Sequence, residues 1–395
     1  MTSLAEHLRV RAQAMSLVND LPELTGLDAA TCKALLDGSR QLTAATYQRL
    51  CNALVLDAGA FQQGVDDPGM VPVRFRNSGH GTTLSGRDLR TLAMAARVGT
   101  ILGQVNAEIE RPVTRWRKPR AVASRPAPWR QGYDLAERVR ARWVGGNEPI
   151  ADLQSWMQAQ GIHVAWVSFD NSSIRAATVA QAKSVPVVLM NSSHQGLQHV
   201  GVVRSTLAHD LAHLIADAGD TGYTTQVSLD DKAQGDTPWD RIEKRANGFS
   251  PAFIAPPDAL RAAFPQMEPG RVSMEMIVAI ARRWGLSFHG AVWHTKNVFQ
   301  LSETSLRELQ TSPRPAVDLS AFERSSAGSL RAAHSGPTVT QNQAALLTPS
   351  SSEQNDDDAY TIAPVWRGLA SDMLVEAERE GEMSSTRVRE LLSSG

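Results

Sequence analysis

Two histidines stand four residues apart in Arg204-Ser-Thr-Leu-Ala-His-Asp-Leu-Ala-His-Leu-Ile-Ala-Asp217. On a helix turning about 100° per residue, His209 and His213 stack on one face, and Leu207, Leu211 and Leu214 fall opposite, where a core takes them. An apolar back with a paired-imidazole front suits a divalent metal, and the run reads as a variant of H-E-x-x-H. The position after the first histidine, glutamate in that motif, is Asp210 here. Two imidazoles leave a zinc site incomplete, because catalytic zinc usually takes three protein ligands and keeps a position for water. The third should be a carboxylate or imidazole on a following helix. Glu243, in Trp239-Asp-Arg-Ile-Glu-Lys-Arg-Ala-Asn-Gly-Phe249, is the best candidate, with Ile242, Ala246 and Phe249 as that helix's buried side. Asn247 lies one turn beyond Glu243 and is a candidate to hold a ligand in place.

The chain that must position these groups has 395 residues, enough for two or three domains with cores of their own. Its formal net charge of −1 predicts neither nucleic-acid nor membrane binding from bulk charge, so either must rest on a local patch. Two cysteines, Cys32 and Cys51, exclude a disulfide scaffold and a cysteine-based zinc site. The start, Met1-Thr-Ser-Leu-Ala-Glu-His-Leu-Arg, carries charges where a signal peptide needs an apolar run, and no stretch approaches the roughly 20 apolar residues that span a bilayer. The expectation is a cytoplasmic protein.

Residues 1–62 show helical spacing broken by Thr25-Gly26-Leu27-Asp28 and Asp37-Gly38-Ser39-Arg40. Asp28 is placed to N-cap Ala29 to Leu36, Gly38 to end that helix in the left-handed conformation, and Thr43 to open Ala44 to Leu54. A helical pattern fills Leu84 to Glu110, within a connector over 68–110. Residues 111–130 hold Pro112, Pro119, Pro126 and Pro128 among many arginines and read as an extended linker. Helices are then expected over Asp134 to Val144 and Ile150 to Gln160, and strands over Ile162 to Phe169 and Val185 to Met190. After the two-histidine helix comes a Gly-, Asp- and Thr-rich loop from Gly219 to Thr237. Thr237-Pro238 then starts a helix with a hydroxyl at N-cap and proline at N1. Met274 to Trp284 and Phe288 to Asn297 follow as helices. Residues 310–360 have few large apolar side chains and read as disordered. A C-terminal helical pair over 363–394 breaks at Gly381.

The runs Asp134-Leu-Ala-Glu-Arg-Val-Arg, Pro186-Val-Val-Leu-Met-Asn191, Thr206-Leu-Ala-His-Asp-Leu-Ala-His213 and Glu243-Lys-Arg-Ala-Asn-Gly-Phe249 together resemble the ImmA/IrrE metallopeptidases. These are zinc peptidases found with mobile elements and stress regulons. The resemblance extends through Trp284-Gly-Leu-Ser287, reappears at Glu380-Gly-Glu-Met-Ser384, and covers most of residues 68–300 plus the tail. It implies His209, His213 and Glu243 as Zn2+ ligands and a general base at Asp210, where the family has glutamate. Aspartate is one methylene shorter, so its oxygens retreat by roughly 1.5 Å, and misplacement on the order of 1 Å can cost about a hundredfold in rate. Three readings stay open: metal with weakened hydrolysis, metal with a structural or sensing role, and no metal. Tyr223 and His194 are candidates to steady the oxyanion. His289 and His294 are further imidazoles on a helix that matches a packing element of the family.

Leu21-Pro-Glu-Leu-Thr-Gly-Leu-Asp28 with the helix and glycine turn after it resembles the XRE (Cro/repressor-like) helix-turn-helix. By that resemblance Ala30, Thr31, Lys33 and Ala34 lie near bases, with Ser39, Arg40 and Thr43 near phosphates. A helical module for dimerisation or partner docking is the alternative. In the linker, Arg111, Arg115, Arg117, Lys118, Arg120, Arg125 and Arg130 interleave with Trp116 and Trp129. That suits phosphate contact with base stacking; a solvated linker whose tryptophans pack on the domain competes.

The expected fold is α+β and mostly helical. It joins a small helical N-terminal module (1–62), the connector (68–110) and basic linker (111–130), and a zincin-like metallopeptidase domain with a short sheet (131–300). The disordered segment and the terminal helices follow. The expected function is a zinc endopeptidase that cleaves a helix-turn-helix repressor to derepress a stress, mobile-element or defence operon. The partners would be that repressor, DNA, and a second copy in a homodimer, but no membrane. The competing expectation is a DNA-binding regulator whose peptidase domain acts as a sensor.

Overall fold

The computed structural model describes residues 4–56, 74–75, 84–108, 127–181, 184–217, 224–229, 236–267, 272–313, 315–322 and 369–384. Four helices come first: α1 (Leu4–Ala14), α2 (Leu21–Thr25), α3 (Ala29–Leu36) and α4 (Ala44–Ala53). Their ends follow local chemistry. Pro22 sits in the first turn of α2, where no backbone donor is needed. Gly26 ends α2 at φ 66°. The Asp28 side chain accepts from the Thr31 amide to open α3, and Thr43 and Thr46 form a capping box on α4. Next come β1 (Arg74–Phe75) and the long α5 (Gly86–Glu108).

Helix α6 (Pro128–Val139) continues as one π-turn, Arg140–Val144, and α7 is Leu153–Ala159. Strands β2 (His163–Val167), β3 (Ile174–Ala180) and β4 (Val187–Asn191) lead through a short 3-10 turn into α8 (Val200–Ala216). Strand β5 (Thr224–Leu229) precedes α9 (Pro238–Ile254), α10 (Pro257–Ala263), α11 (Met274–Trp284), α12 (Phe288–Phe299) and α13 (Glu303–Thr311). A last helix, α14, spans Leu369–Arg379. None of the described helices is long and apolar enough to cross a membrane.

The five strands run in the order β1-β5-β3-β4-β2. β3 is antiparallel to both β4 and β5, while β2–β4 and β1–β5 are parallel. Side chains alternate between the two faces, as the strand period requires. Ala165, Val167, Val187 and Leu189 join one core with Leu8, Leu35, Leu50, Leu92 and Leu102. Val164, Trp166, Val188 and Met190 join the other with Leu135, Leu207, Leu211, Phe249 and Trp284. The first core runs without a break from the N-terminal helices through α5 to the sheet, and Leu374, Ala377 and Met383 of the C-terminal segment belong to it as well. The N-terminal helices with α5, and helices α6, α8 and α9, thus cover opposite faces of one sheet.

Three expectations need correction. The loop expected between Gly219 and Thr237 contains β5, and Ile174–Ala180 forms β3, a strand not anticipated. The segment read as linker ends earlier than residue 130: helix α6 begins at Pro128, with Trp129 and Arg130 inside it. Within the segment read as disordered, Phe322 is buried and lies over the Arg204 guanidinium, 4.3 Å from its ring centroid.

Helices α6 and α9 meet backbone to backbone. A Cβ on Gly132 would stand 2.1 Å from the Arg245 carbonyl oxygen, and one on Gly248 would stand 2.3 Å from that of Trp129. The same layer is tied by His294 of α12. Its Nδ1 accepts from the Tyr133 hydroxyl at 2.7 Å, and its Nε2–H donates to the Ala255 carbonyl at 2.7 Å. Burial lowers the His294 pKa to about 4, against the raising effect of the Ala255 bond, so the ring is neutral in the fold.

Two outcomes follow from this packing. Gly248→Ala should lower the unfolding free energy by at least about 1–3 kcal/mol in a urea titration. Gly146→Ala, whose added Cβ meets nothing within 4 Å, should change it by less than about 0.5 kcal/mol. Equal midpoints would show that α6 and α9 separate without cost. His294 is depressed in the fold relative to the unfolded chain, so its stabilisation is full above about pH 6.5. It is lost as pH falls toward 4, on the order of 3 kcal/mol in all. His294→Gln should remove one proton from the pH slope of stability in that window, and identical slopes would refute the assignment.

Candidate metal centre

Helix α8 packs across β3 and against α9. Arg204 anchors its N-terminal half, donating to the carbonyls of Ile150, Ala151 and Trp284. Two turns further along, His209 and His213 project from the helix toward Glu243 of α9. The start of α9 is set locally by Pro238 in its first turn and a Thr237–Asp240 capping box. His213 and Glu243 are fully buried, and His209 is 8% exposed. Solvent reaches the cluster from the His209 side.

The three donor groups converge. His209 Nε2 lies 2.9 Å from His213 Nε2 and 3.2 Å from Glu243 Oε2, and His213 Nε2 lies 3.4 Å from Glu243 Oε1. Donors that share a tetrahedral ion at about 2.1 Å stand roughly 3.4 Å apart, so this spacing fits one ion held by all three. Among the described residues, these three are the group of His, Cys, Asp and Glu side chains found suited to holding a metal. Their electrostatics agree with a cation site. Burial alone would push the Glu243 carboxyl up, but His213 and His209 outweigh it and hold the group ionised. Burial would likewise pull His213 down, yet Glu243 and Asp217 raise it to about 10. The pocket attracts positive charge.

A second layer supports one ligand. His213 Nδ1 lies 2.8 Å from Asp217 Oδ2. A carboxylate only accepts, so Nδ1 is the donor and Nε2 is the ring atom left for the metal. Arg245 of α9 donates to the other Asp217 oxygen. Neither residue was singled out by its sequence pattern. The available signal was the spacing of His209, His213 and Asp217, one turn apart along a single stripe of α8.

The other candidates fall elsewhere. Asp210 is completely buried beside His209, and its carboxylate is not part of the three-donor cluster. Asn247, expected to hold a ligand, is exposed; Asp217 makes that contact instead. His194 lies in the turn that leads into α8, more than two helical turns before His209, and its Nδ1 accepts from the Gly196 amide. Tyr223 lies outside the described residues. His294 has both ring nitrogens engaged by Tyr133 and Ala255, and His289 stands edge-on to Trp293. Neither joins the cluster.

In the N-terminal module, Lys33, Ser39, Arg40 and Thr43 are exposed and Thr31 is half-buried. Local bonds engage most of them. The Thr31 hydroxyl donates to Asp28 and accepts from Arg40 Nη1, Ser39 donates to the Ala34 carbonyl, and Thr43 caps α4. Arg115, Arg117, Lys118 and Arg120 lie outside the described residues.

Comparison with known proteins adds one finding. No curated protein matches the chain. Residues 157–292 match the Peptidase_M78 family model, described as the IrrE N-terminal-like domain. The matched stretch contains all three donors together with Asp210, Asp217 and Arg245, and it points to a metallopeptidase domain of the ImmA/IrrE type.

Proposed function

We propose that this chain is a zinc-dependent endopeptidase of the ImmA/IrrE type that works in the cytoplasm and cleaves a helix-turn-helix repressor. The observation that carries the reading is the convergence of His209, His213 and Glu243 inside the matched domain. Two imidazole nitrogens and one carboxylate oxygen are a donor set typical of catalytic zinc. When bound, zinc supplies Lewis acidity, making water a nucleophile near neutral pH and polarising the scissile carbonyl. The protein's own groups do the rest. Asp217 keeps His213 in one tautomer and one orientation. Asp210 is assigned the proton of the attacking water and its return to the leaving amine. Its side chain is one methylene shorter than glutamate, so hydrolysis should be slow. The repressor substrate, and derepression of a stress, mobile-element or defence operon as the outcome, rest on resemblance to the ImmA/IrrE peptidases.

A second reading takes its support from Asp210, which is both short and fully buried. A peptidase fold in which that group does no chemistry would act as a sensor attached to a DNA-binding module. The exposed face of α3 would then meet DNA, in a monomer or a homodimer.

Elemental analysis of the purified chain should find about one zinc per molecule, lost in His213→Ala and Glu243→Ala. Asp210→Glu should raise cleavage of a co-expressed repressor, by up to about a hundredfold. A Glu243→Ala protein with undiminished zinc would refute the ligand set. An unchanged rate in Asp210→Glu, together with salt-sensitive retardation of promoter DNA, would favour the sensor.

A further inference from the structure

His213 meets a carboxylate at each ring nitrogen, and the two contacts help close a circuit between two helices. Its Nε2 faces Glu243 of α9 at 3.4 Å, and its Nδ1 donates to Asp217 at 2.8 Å. Asp217 is the C-cap of α8, and its second oxygen accepts from Arg245, again on α9 and two residues past Glu243. The circuit runs from α9 through Glu243, His213, Asp217 and Arg245 back to α9. The Asp217 and Arg245 side chains are only 8% and 16% exposed, so water screens this pair much less than a surface ion pair.

The placement of Asp217 needs explaining. A carboxylate at a helix C-terminus opposes the helix dipole. Nothing in the capping of α8 calls for it, because the cap is made by its backbone amide on the His213 carbonyl. Among the described residues its side chain bonds His213 and Arg245. With Nε2 alone engaged, the imidazole keeps torsional freedom and only Glu243 links it to α9. With Nδ1 also tied to a carboxylate that α9 itself holds, ring rotation and slippage of α9 along α8 are both further restrained.

We propose that Arg245 is a positioning residue for the metal centre. By gripping Asp217 it locks the helix that carries Glu243 to the helix that carries both histidines, in the register where three donors converge. The guanidinium suits this task, because it reaches one carboxylate oxygen through Nη2 and leaves the other for His213. The inference rests on the metal reading of the site and adds a residue to it.

The test is metal affinity of the full chain, measured for Zn2+ by competition with a chromophoric chelator, with the visible spectrum of the Co2+ form as a second readout. Arg245→Met should weaken Zn2+ binding by about 10–100-fold, still reach one ion per chain at saturation, and alter the Co2+ band. Arg245→Lys keeps the charge without the fork and should fall between. Asp217→Asn should weaken binding similarly, and adding Arg245→Met to it should cost little more, because the pair acts as one unit. Thermal unfolding in the presence of chelator checks that each metal-free variant folds. Should Arg245→Met fail that check, Arg245→Lys and Asp217→Asn carry the comparison. Wild-type affinity and spectrum in the arginine variants, or additive losses in the pair, would overturn the clamp and leave the metal site standing. A wild-type chain that takes up neither ion would remove the site and the clamp together.

Discussion

An ionised carboxylate buried between two imidazoles is the constraint around which this protein is organised. Glu243 has no access to solvent, and a charge in that position is tolerated only when it is paired. His209 and His213 supply the pairing, and a divalent cation satisfies the same field. Such an arrangement holds only if α8 and α9 are kept in one register, because the donor spacing of 2.9 to 3.4 Å leaves little room for sliding. Much of the surrounding structure serves that register. Gly132 and Gly248 bring α6 and α9 into backbone contact, Arg204 fastens the front half of α8, and Asp217 with Arg245 closes the far end.

The sheet links this centre to the rest of the chain. Helix α8 rests on one face of β3 and α5 on the other. Ala176 and Ala177 at the middle of that strand let both helices approach closely. The N-terminal helices share a core with α5 and with the far face of the sheet, and α14 adds to the same core. A disturbance of the N-terminal module therefore bears on the support of the helix that carries His209 and His213 through packed side chains, because close-packed interiors transmit displacement. This is a physical basis for coupling between the two halves, whether the module meets DNA, a protein or a second copy.

The hydrolysis proposed for the centre turns on a single methylene. His209, His213 and Glu243 converge as a set of metal donors, yet the acid beside His209 is Asp210, one methylene shorter than glutamate. The domain match covers both the ligand set and the altered position. In the proposed reading, metal binding and proteolysis are separable, since the first depends on the three donors and the second on the reach of one carboxylate.

Periodicity and local chemistry alone determined much of this. The four-residue spacing of the histidines places them on one helical face in any fold, because 3.6 residues make a turn. The caps at Asp28, Thr43 and Thr237 are decided within three residues of sequence. Glu243 was legible because its helix has a clear apolar side. Only the tertiary structure decided the remainder. Strand β3 carries three alanines, and β5 lies in a Gly-, Asp- and Thr-rich stretch that reads as loop; their strand character is set by pairing with sheet neighbours. Asn247 shares a helical face with Glu243 by spacing, but the packing of α9 on α6 and α8 turns it to solvent. The partnership of Asp217 with Arg245 joins residues on two helices separated by a strand. Nothing local distinguishes those two side chains from other surface charges until the helices pack.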